Sequence, residues 1–415
     1  MKILVLSSLA YSLTNFRGAL LREMKANGHR VLAVAPDRND AVAAELQRAG
    51  IGFRLIPMQR TGTSMVQDLR LFLAYLRVMI VEKPDLVLAY TQKPIIYGGI
   101  AARLACVPRS FVLMSGLGYV FSEHDRPSRT LRRLVSLMYR EAVLRARAIF
   151  VFNADDRAEM IKHGIVKLRH NVVQVAGSGV DVEHFAQVPL PRDRTRFLLI
   201  GRLMRDKGIY EFCEAARQIK AAHPDSEFMV LGHYEHDNPT GIDETECLRL
   251  AQRYPVQFVP GTTDVRPYLA SCSVFVLPSY YREGLPRTII EAMATGRPIV
   301  TTDMPGCREP VIDGENGFLV PPRNSDALAA TLTRFIETPG LISQMGARSR
   351  ELAVSTYDVR KVNHQLLDAM GLLVERWKQP KPDVELASDG SDERELAVHG
   401  ATSLGAGLVS AALAK

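Results

Sequence analysis

Short runs of β-branched and other apolar residues alternate with segments of helical period along most of this 415-residue chain. Strands that read as continuous apolar runs are covered on both faces, and a strand–helix–strand succession builds a parallel sheet with helices on either side. In the first half, we predict strands at residues 3–7, 31–35, 53–56, 86–89, 110–114 and 149–152. The helix after the first strand is predicted over residues 15–27, because Gly28 supplies the left-handed residue that often ends a helix. The chain therefore predicts an α/β fold with doubly wound sheets.

The alternation stops around residues 182–194, where Pro189 and Pro191 stand in a cluster of charged residues. It starts again with strands predicted at residues 197–200, 228–231, 257–259, 274–277 and 298–301. We predict a first Rossmann-like domain over residues 1–187, a second over 188–355, a helix over 356–378 that packs back toward the first domain, and a disordered tail over 379–415. Ligands of such sheets bind at the carboxyl ends of the strands, so the cleft between the two facing domains is the expected site.

Charge and cysteine content narrow the classes of function. The chain has 52 Lys and Arg residues and 45 Asp and Glu residues, which gives a net charge of +7. This excess is small and its charges are interspersed with acidic residues, so it indicates no nucleic-acid partner. Phosphate groups and an anionic membrane surface stay open as partners. The five cysteines form no C-x-x-C pair, which argues against a disulfide framework or a metal site and favours a cytoplasmic compartment. Residues 1–10 are interpreted as a first strand rather than a signal peptide, and no apolar run is long enough to span a membrane.

The segment 278–298 predicts a strand end, a loop and a helix with Pro286 in its first turn. The free first-turn amides and the positive end of the helix dipole would form an anion site suited to a diphosphate. Glu283 would lie beside that anion and Glu291 farther along the helix, so that one carboxylate could hold a ribose and the other a sugar. Equally, Glu283 could simply stabilise the helix dipole while Glu291 is an exposed helix residue.

Glu283 and Glu291 are separated by seven residues and followed by Ala-Met-Ala-x-Gly-x-Pro. This pattern resembles the E-x7-E motif of the retaining glycosyltransferases of family 4, which have the GT-B fold of two facing Rossmann-like domains with an interdomain cleft. The resemblance extends over roughly residues 1–375, because segments 201–208, 261–265 and 303–309 also agree with it. Three further segments resemble the branch that builds capsules, O-antigens and related glycans by adding hexoses or N-acetylhexosamines to lipid-linked acceptors; they are residues 12–18, 91–94 and 116–121.

The resemblance implies roles on the donor side of the cleft. Arg202 and Lys207 would stabilise the departing nucleoside diphosphate, and the donor is expected to be UDP-linked. Glu291 would hold the ribose, Glu283 the hydroxyls of the donor sugar, and the backbone of residues 259–263 the base. The chain itself allows both cations to converge on the edge of the second sheet, although each alone could be a surface residue in a turn. The expected catalytic residues are Glu283, Arg202 and Lys207, and the expected donor-binding residues are Glu291, Gly284, Leu285, Pro286, Gly201 and Thr262.

The acceptor, a polyprenyl-diphosphate-linked saccharide by resemblance, is expected on the first domain. Asn15, Arg17 and Gly18 open a helix whose free amides could meet a phosphate or a sugar. Lys93 follows the fourth strand and Ser115 the fifth, so both are further candidates. Alternatively, Arg17 and Lys93 are solvated edge residues and Ser115 is a small residue in a tight turn.

No D-x-D pair occurs in the sequence, and two cations with a helix terminus could neutralise the leaving group, so we predict a metal-independent transfer with no cofactor. The family implies retention by front-face substitution. A nicotinamide-dependent oxidoreductase is disfavoured because no G-x-G-x-x-G follows the first strand. A GT-B epimerase of nucleotide sugars and a non-catalytic sugar-binding protein stay open as alternatives.

Residues 126–147 carry seven arginines and one acid, Glu141. Apolar residues recur there at helical spacing, so a basic face could lie beside an apolar one and rest on an anionic bilayer. The alternative is that the apolar stripe packs on the sheet and the arginines are solvated. The first interpretation predicts peripheral association with the inner face of the cytoplasmic membrane.

Overall fold

Two all-parallel sheets organise the computed structural model, which describes residues 1–59, 64–117, 119–121, 128–191, 193–236 and 238–374. The first sheet contains β1 (Lys2–Leu6), β2 (Arg30–Ala35), β3 (Gly52–Leu55), β4 (Leu86–Tyr90), β5 (Arg109–Met114), β6 (Ala148–Val151) and β7 (Val172–Gln174). The second contains β8 (Arg196–Ile200), β9 (Glu227–Gly232), β10 (Gln257–Pro260), β11 (Val274–Leu277), β12 (Ile299–Thr302) and β13 (Gly317–Val320). The strand orders are β3-β2-β1-β4-β5-β6-β7 and β10-β9-β8-β11-β12-β13. The direction of the strand order reverses between β1 and β4 in the first sheet and between β8 and β11 in the second. Ligands of doubly wound sheets bind at this position.

Helices connect the strands and cover both faces of the sheets. The first half contains α1 (Ala10–Asn15), α2 (Gly18–Ala26), α3 (Asp40–Arg48), α4 (Met65–Glu82), the π-helix Pro94–Gly98, α5 (Gly99–Leu104), the 3₁₀ helix Tyr119–Phe121, α6 (Arg129–Val143) and α7 (Ala154–Lys162). The second half contains the 3₁₀ turn Arg205–Lys207, α8 (Ile209–Ala222), α9 (Glu244–Arg253), α10 (Arg266–Ser271), α11 (Arg287–Ala294), α12 (Ser325–Glu337), α13 (Gly340–Ser355) and α14 (Val359–Ala369). The predicted α/β architecture is therefore confirmed.

The alternation of side chains along each strand builds two cores around the first sheet. Ile3 and Val5 of β1 pack on the side of α2, α3 and α14, whereas Leu4 and Leu6 pack on the side of α4, α5 and α6. Residues on both faces are buried, which explains why the strands read as continuous apolar runs. A third core surrounds the second sheet. No helix within the described ranges is both long and apolar enough to cross a bilayer.

The helix predicted over residues 15–27 is wrong in its extent. The chain forms two helices instead, α1 and α2, and leaves helical geometry between them, where Arg17 has φ −124° and ψ −1°. The break turns the Arg17 side chain into the protein interior, where it is 3% exposed. Strand β7 is absent from the predicted strands, because a strand of three residues is too short to form an apolar run and none of its residues is buried.

The last described helix returns to the first half of the chain. Leu366 and Leu367 of α14 lie in the core shared with α2, and Asn363 donates a hydrogen bond of 2.8 Å to Glu23. The boundary proposed near residue 188 falls between the strands of the two sheets, and Met1–Val374 form one compact unit. The tail predicted to be disordered, residues 379–415, lies outside the described residues.

Candidate active site

The centre of the candidate site is a contact between a lysine and a glutamate at the carboxyl edge of the second sheet. Lys207 closes the 3₁₀ turn after β8, and Glu283 lies in the loop after β11, the neighbouring strand. Gly208 lets the turn approach that loop, because a Cβ there would lie 2.1 Å from the carbonyl oxygen of Pro278. The Lys207 ammonium contacts Oε1 of Glu283, and the two side chains are only 10% and 13% exposed. The structure thus brings together two of the three residues predicted to be catalytic.

Further contacts fix the Glu283 carboxylate. Ser279 donates a hydrogen bond of 3.2 Å from its hydroxyl to the same oxygen, Oε1. Gly306 packs against the backbone of Glu283 so closely that a Cβ would lie 2.5 Å from its carbonyl oxygen. Both polar contacts fall on Oε1, so Oε2 keeps no hydrogen-bond partner within the described part of the chain. A partly buried carboxylate with one free oxygen is suited to accept a hydrogen bond from a ligand hydroxyl.

Arg202, the third predicted catalytic residue, is not part of this contact. Its side chain is 46% exposed, and its guanidinium lies 3.7 Å from the carboxylate of Glu235. Gly201 precedes it, directly after β8, and a Cβ on Gly232 would lie 2.0 Å from the Gly201 carbonyl oxygen. Arg202 is therefore at the predicted edge of the sheet, but its side chain points to a different acid from the one that Lys207 contacts.

The helix predicted from the segment 278–298 begins one residue later than expected. Pro286 is the residue before α11 rather than a member of its first turn, and no side chain caps the helix. The first-turn amides of α11 thus have no side-chain partner, as an anion site at this terminus requires. Gly284 and Leu285 occupy the loop between Glu283 and this terminus. Leu285 packs against Gly177, so the loop touches the first half of the molecule.

Glu291 is buried rather than an exposed helix residue. It is 8% exposed, and one of its oxygens lies 2.8 Å from Nε of Arg287, one turn earlier on α11. Burial raises the pKa of Glu291 to about 7, and the Arg287 guanidinium opposes this rise. Arg287 also donates a hydrogen bond to the backbone carbonyl of Asn15 and lies 5.4 Å from the centre of the Phe16 ring. One guanidinium therefore connects the predicted donor and acceptor sides.

The region predicted to hold the base lies at the ends of two neighbouring strands, β9 and β10. The hydroxyl of Thr262 accepts a hydrogen bond of 3.2 Å from the amide of Asp264 in the loop after β10. Gly261 lies against the His233 ring, because a Cβ there would be 2.4 Å from the ring atoms. His233 follows β9 and was not predicted from the sequence. Only its position after a strand end could have indicated it.

Arg17 is not a solvated edge residue. Its guanidinium lies 5.6 Å from the ring centres of both Tyr90 and Phe152, and its Nε has no hydrogen-bond partner. Burial lowers its pKa to about 10. No carboxylate pairs with it within the described residues. The structure therefore shows a buried cation without an acid at the start of α2, beside Gly18.

The other predicted acceptor residues surround the same edge of the first sheet. Lys93 is 15% exposed and lies 2.7 Å from a carboxylate oxygen of Asp68, so it is not a solvated residue either. Ser115 begins the turn after β5, in which Gly116 has a φ of +119°. The Ser115 carbonyl oxygen would lie 2.1 Å from a Cβ on Gly284. Ser115 therefore lies against the loop that carries Glu283. Its turn requires Gly116, because few other residues adopt a φ of +119°.

Within the described ranges, no group of three or more His, Cys, Asp and Glu side chains is arranged to hold a metal ion. The cations at the edge of the second sheet are supplied by the protein, in Lys207 and in Arg202. These side chains and the terminus of α11 can together neutralise a diphosphate, and Glu283 and Glu291 can accept hydrogen bonds from hydroxyls.

Two family models match consecutive parts of the chain. The glycosyl transferase 4-like domain matches residues 15–176, and the glycosyl transferases group 1 model matches residues 194–338. The first covers strands of the first sheet only, and the second covers strands of the second sheet only. The two matches together span most of the described residues.

Curated relatives are similar over most of their length. A Campylobacter jejuni N,N'-diacetylbacillosaminyl-diphospho-undecaprenol α-1,3-N-acetylgalactosaminyltransferase is 24% identical over 81% of this chain and 90% of its own. An Escherichia coli UDP-Gal:α-D-GlcNAc-diphosphoundecaprenol α-1,3-galactosyltransferase is 28% identical over 74% of this chain and 80% of its own.

Solved structures show the same fold at lower identity. Anabaena HepE in complex with UDP and glucose superposes with a TM-score of 0.73 over 90% of this chain and 100% of its own, at 21% identity. The Thermosynechococcus elongatus sucrose-phosphate synthase gives a TM-score of 0.72 over 89% of this chain and 98% of its own, at 19% identity. The GT-B fold and the predicted family are confirmed, and the chain belongs to the glycosyltransferases that join a family 4-like domain to a group 1 domain.

Proposed function

We propose that this glycosyltransferase transfers a hexose or N-acetylhexosamine from a UDP-linked sugar to a polyprenyl-diphosphate-linked saccharide in surface polysaccharide synthesis. The observation that carries the proposal is the contact of Lys207 with Glu283 at the carboxyl edge of the second sheet. The names of the Campylobacter and Escherichia relatives, which describe sugar transfer to diphospho-undecaprenol-linked saccharides, support the class of acceptor. The HepE complex with UDP supports the nucleotide.

On the donor side, the two cations would bind the diphosphate of the nucleotide sugar, and the two carboxylates would bind its ribose and its sugar. A diphosphate carries more negative charge than one carboxylate, so it would draw Lys207 away from Glu283 and leave that carboxylate free for the sugar hydroxyls. Arg202 would turn from Glu235 to the same diphosphate. Glu291 would hold the ribose. The remaining contacts would come from Gly284, Leu285, Pro286, Gly201 and Thr262.

On the acceptor side, the unpaired Arg17 supports a phosphate. A buried guanidinium without an acid carries a desolvation penalty that an anionic ligand would offset. Asn15 and Gly18 flank it in the chain, and Lys93 and Ser115 follow the ends of β4 and β5 at the same edge. The diphosphate that joins polyprenol to saccharide has the chemistry that this position needs.

The proposed course of the reaction is retention by front-face substitution. The bond from the anomeric carbon to the phosphate oxygen breaks, a bond to the acceptor oxygen forms on the same face, and the acceptor proton passes to the departing phosphate oxygen. Protein cations would stabilise the leaving group, and hence we propose that no metal ion is needed. Retention would appear as an α-linked product from an α-linked donor by NMR. Activity lost in excess chelator and restored by added metal would overturn metal independence.

We also propose that the enzyme works in the cytoplasm at the inner face of the membrane. The apolar stripe of α6 packs on the first sheet through Val135 and Tyr139, while its arginines stay accessible. A depression of about 450 Å³ is lined by Arg129, Arg132, Arg133, Ser136, Leu137, Arg140, His163 and Gly164. The lining holds four arginines and no acid, which suits the phosphates of an anionic bilayer. Arg126 lies outside the described residues.

The test incubates the protein with a panel of UDP-sugars and a short polyprenyl diphosphate saccharide, and measures the mass of the product. We expect the acceptor to gain one sugar, and we expect Glu283→Ala to lose both this transfer and the slow hydrolysis of the donor. Glu337→Ala, which removes an exposed glutamate at the end of α12, is the matched control and should keep full activity. A changed sugar without an acceptor would favour an epimerase, and donor binding without any turnover would favour a sugar-binding protein.

A further inference from the structure

The loop that carries Glu283 is held from the other half of the molecule by the start of α7. Asn153 precedes this helix and is completely buried. Its side-chain oxygen accepts a hydrogen bond of 2.7 Å from the amide of Asp156, and its side-chain nitrogen donates one of 2.8 Å to the carbonyl oxygen of Gly284. A single residue thus caps a helix of the first half and fixes the backbone next to Glu283.

A buried ion pair holds the residue on the opposite side of Glu283. Nε of Arg282 lies 3.1 Å from Oδ1 of Asp156, and the two side chains are 11% and 0% exposed. The Asn153 side chain also donates to the other oxygen of Asp156 at 3.2 Å, so both carboxylate oxygens have partners. A buried pair with its hydrogen bonds complete is rigid, and removal of one partner leaves a buried charge without compensation.

We propose that Asp156 and Arg282 are positioning residues that set the Glu283 carboxylate for transfer only while the two halves are in contact. The proposal rests on the proposed function, since it assigns Glu283 to the donor sugar. Both neighbours of Glu283 in the chain, Arg282 and Gly284, are tied to the start of α7, whereas the Glu283 carboxylate makes its polar contacts, among the described residues, with Lys207 and Ser279 of the second half. The acceptor-side half therefore dictates where the donor-side carboxylate lies.

A second ion pair at the same helix start supplies a matched control. Asp155 precedes Asp156 and lies 3.3 Å from Arg308, a residue of the second half as well. This pair is 42% and 35% exposed, and neither residue adjoins Glu283. A general loss of contact between the halves would follow from either substitution, whereas a displaced Glu283 follows only from loss of the buried pair.

The experiment compares Asp156→Asn and Arg282→Gln with Asp155→Asn in the full chain. A displacement of about 1 Å can lower the rate of a reaction about a hundredfold, so we expect kcat of transfer to fall roughly ten- to a hundredfold in the first two variants. The KM for the UDP-sugar should stay within about twofold, because the diphosphate contacts are kept. Arg282→Lys should recover part of the rate, and Asp155→Asn should stay within about twofold of the wild type. The double variant should be no slower than the slower single variant.

Hydrogen exchange supplies a readout that needs no activity. Amides of residues 279–285 should exchange faster in Asp156→Asn than in the wild type, while those of α11 stay unchanged. A wild-type kcat in Asp156→Asn, an equal loss in Asp155→Asn, or unchanged exchange in residues 279–285 would overturn the proposal. If the wild type itself transfers no sugar, the proposed function fails, and exchange alone then decides whether α7 fixes this loop.

Discussion

Cationic side chains on the two faces of the cleft differ in whether an acidic residue pairs with them. On the face built by the second half, Lys207 contacts Glu283 and Arg287 contacts Glu291, so these cations have an acid of their own half. On the face built by the first half, Arg17 is buried between two aromatic rings and no acid pairs with it in the described part of the chain. The face proposed to bind the donor is therefore balanced in charge before any ligand binds, whereas the face proposed to bind the acceptor has a buried cation that an anionic ligand would stabilise.

The same difference extends to the outer surface. Arg196 of the second half lies 2.6 Å from Asp193 and 2.7 Å from Glu227. Arg129, Arg133 and Arg140 of α6, by contrast, line one depression and take part in no ion pair among the described residues. Unpaired arginines on one side of the first half give it a positive field, which attracts anionic surfaces. The comparison therefore predicts that anionic partners of two kinds, a ligand phosphate and a bilayer, bind the same half.

The largest effect should come from breaking the balanced donor face. Lys207→Ala removes the cation expected to bind the proposed diphosphate and leaves Glu283 without its cationic partner. We expect kcat/KM of transfer to fall about a thousandfold, or about 4 kcal/mol, as for loss of a group that stabilises developing charge. Steady-state kinetics with a saturating acceptor measure the loss. Arg217→Ala on the exposed face of α8 is the control, and a loss of less than threefold in Lys207→Ala would contradict the assignment.

The placement of Lys207 and Glu283 at one edge of the second sheet could be anticipated because each follows a predicted strand, although the resemblance gives them separate roles and predicts no contact between them. The burial of Arg17 could not, because the helical pattern runs on through the break between α1 and α2. The pair of Asp156 with Arg282 joins positions 126 residues apart, and no local pattern encodes such a distance. Local sequence patterns therefore predict the elements and the strand ends, whereas contacts such as that of Asp156 with Arg282 depend on how the two halves pack.

The ion pair with Arg287 does not cancel the free-energy cost of burying the Glu291 carboxylate, and the pH dependence of stability can show this. The pKa of Glu291 is raised to about 7, above the value of about 4.5 expected in the unfolded chain. The folded state therefore holds this proton more tightly, and the stability it contributes is complete below about pH 4.5 and lost as pH rises through about 7. We expect this loss to reach up to about 3 kcal/mol. Urea unfolding at pH 5 and pH 7.5 should show it in the wild type and not in Glu291→Gln.

Glu309 is the necessary control for that measurement, because burial raises its pKa to about 7 as well. Glu309→Gln should keep the part of the pH dependence that belongs to Glu291. Equal slopes in the wild type and in Glu291→Gln would show that the Arg287 partner compensates the buried carboxylate completely. The donor face would then be more fully balanced than the raised pKa indicates.

On the outer surface, reversal of the unpaired arginines should release the enzyme from membranes. Each basic residue near an anionic bilayer contributes about 1 kcal/mol, so Arg129→Glu, Arg133→Glu and Arg140→Glu together should weaken binding by about a hundredfold or more. Sedimentation with phosphatidylglycerol vesicles at low salt measures the change. The control reverses three arginines of the second half that already have acidic partners, namely Arg217, Arg249 and Arg348. Unchanged sedimentation of the α6 variant would reject the membrane surface.

The smallest expected effect tests the acceptor face directly. Arg17→Met keeps much of the buried volume and removes the cation, so the KM for the lipid-linked acceptor should rise about tenfold, or about 1.4 kcal/mol, while UDP affinity stays unchanged. The same change should leave the free energy of unfolding equal or raise it by about 1 kcal/mol, because an apolar side chain has no desolvation penalty there. Arg22→Met, which removes an exposed arginine of α2, should change neither quantity. A less stable protein with an unchanged acceptor KM would mean that Arg17 supports the packing of Tyr90 and Phe152. The two faces would then differ in their packing and not in the ligands that they bind. Only for a cation that binds a ligand should its removal weaken acceptor binding while the free energy of unfolding stays equal or rises.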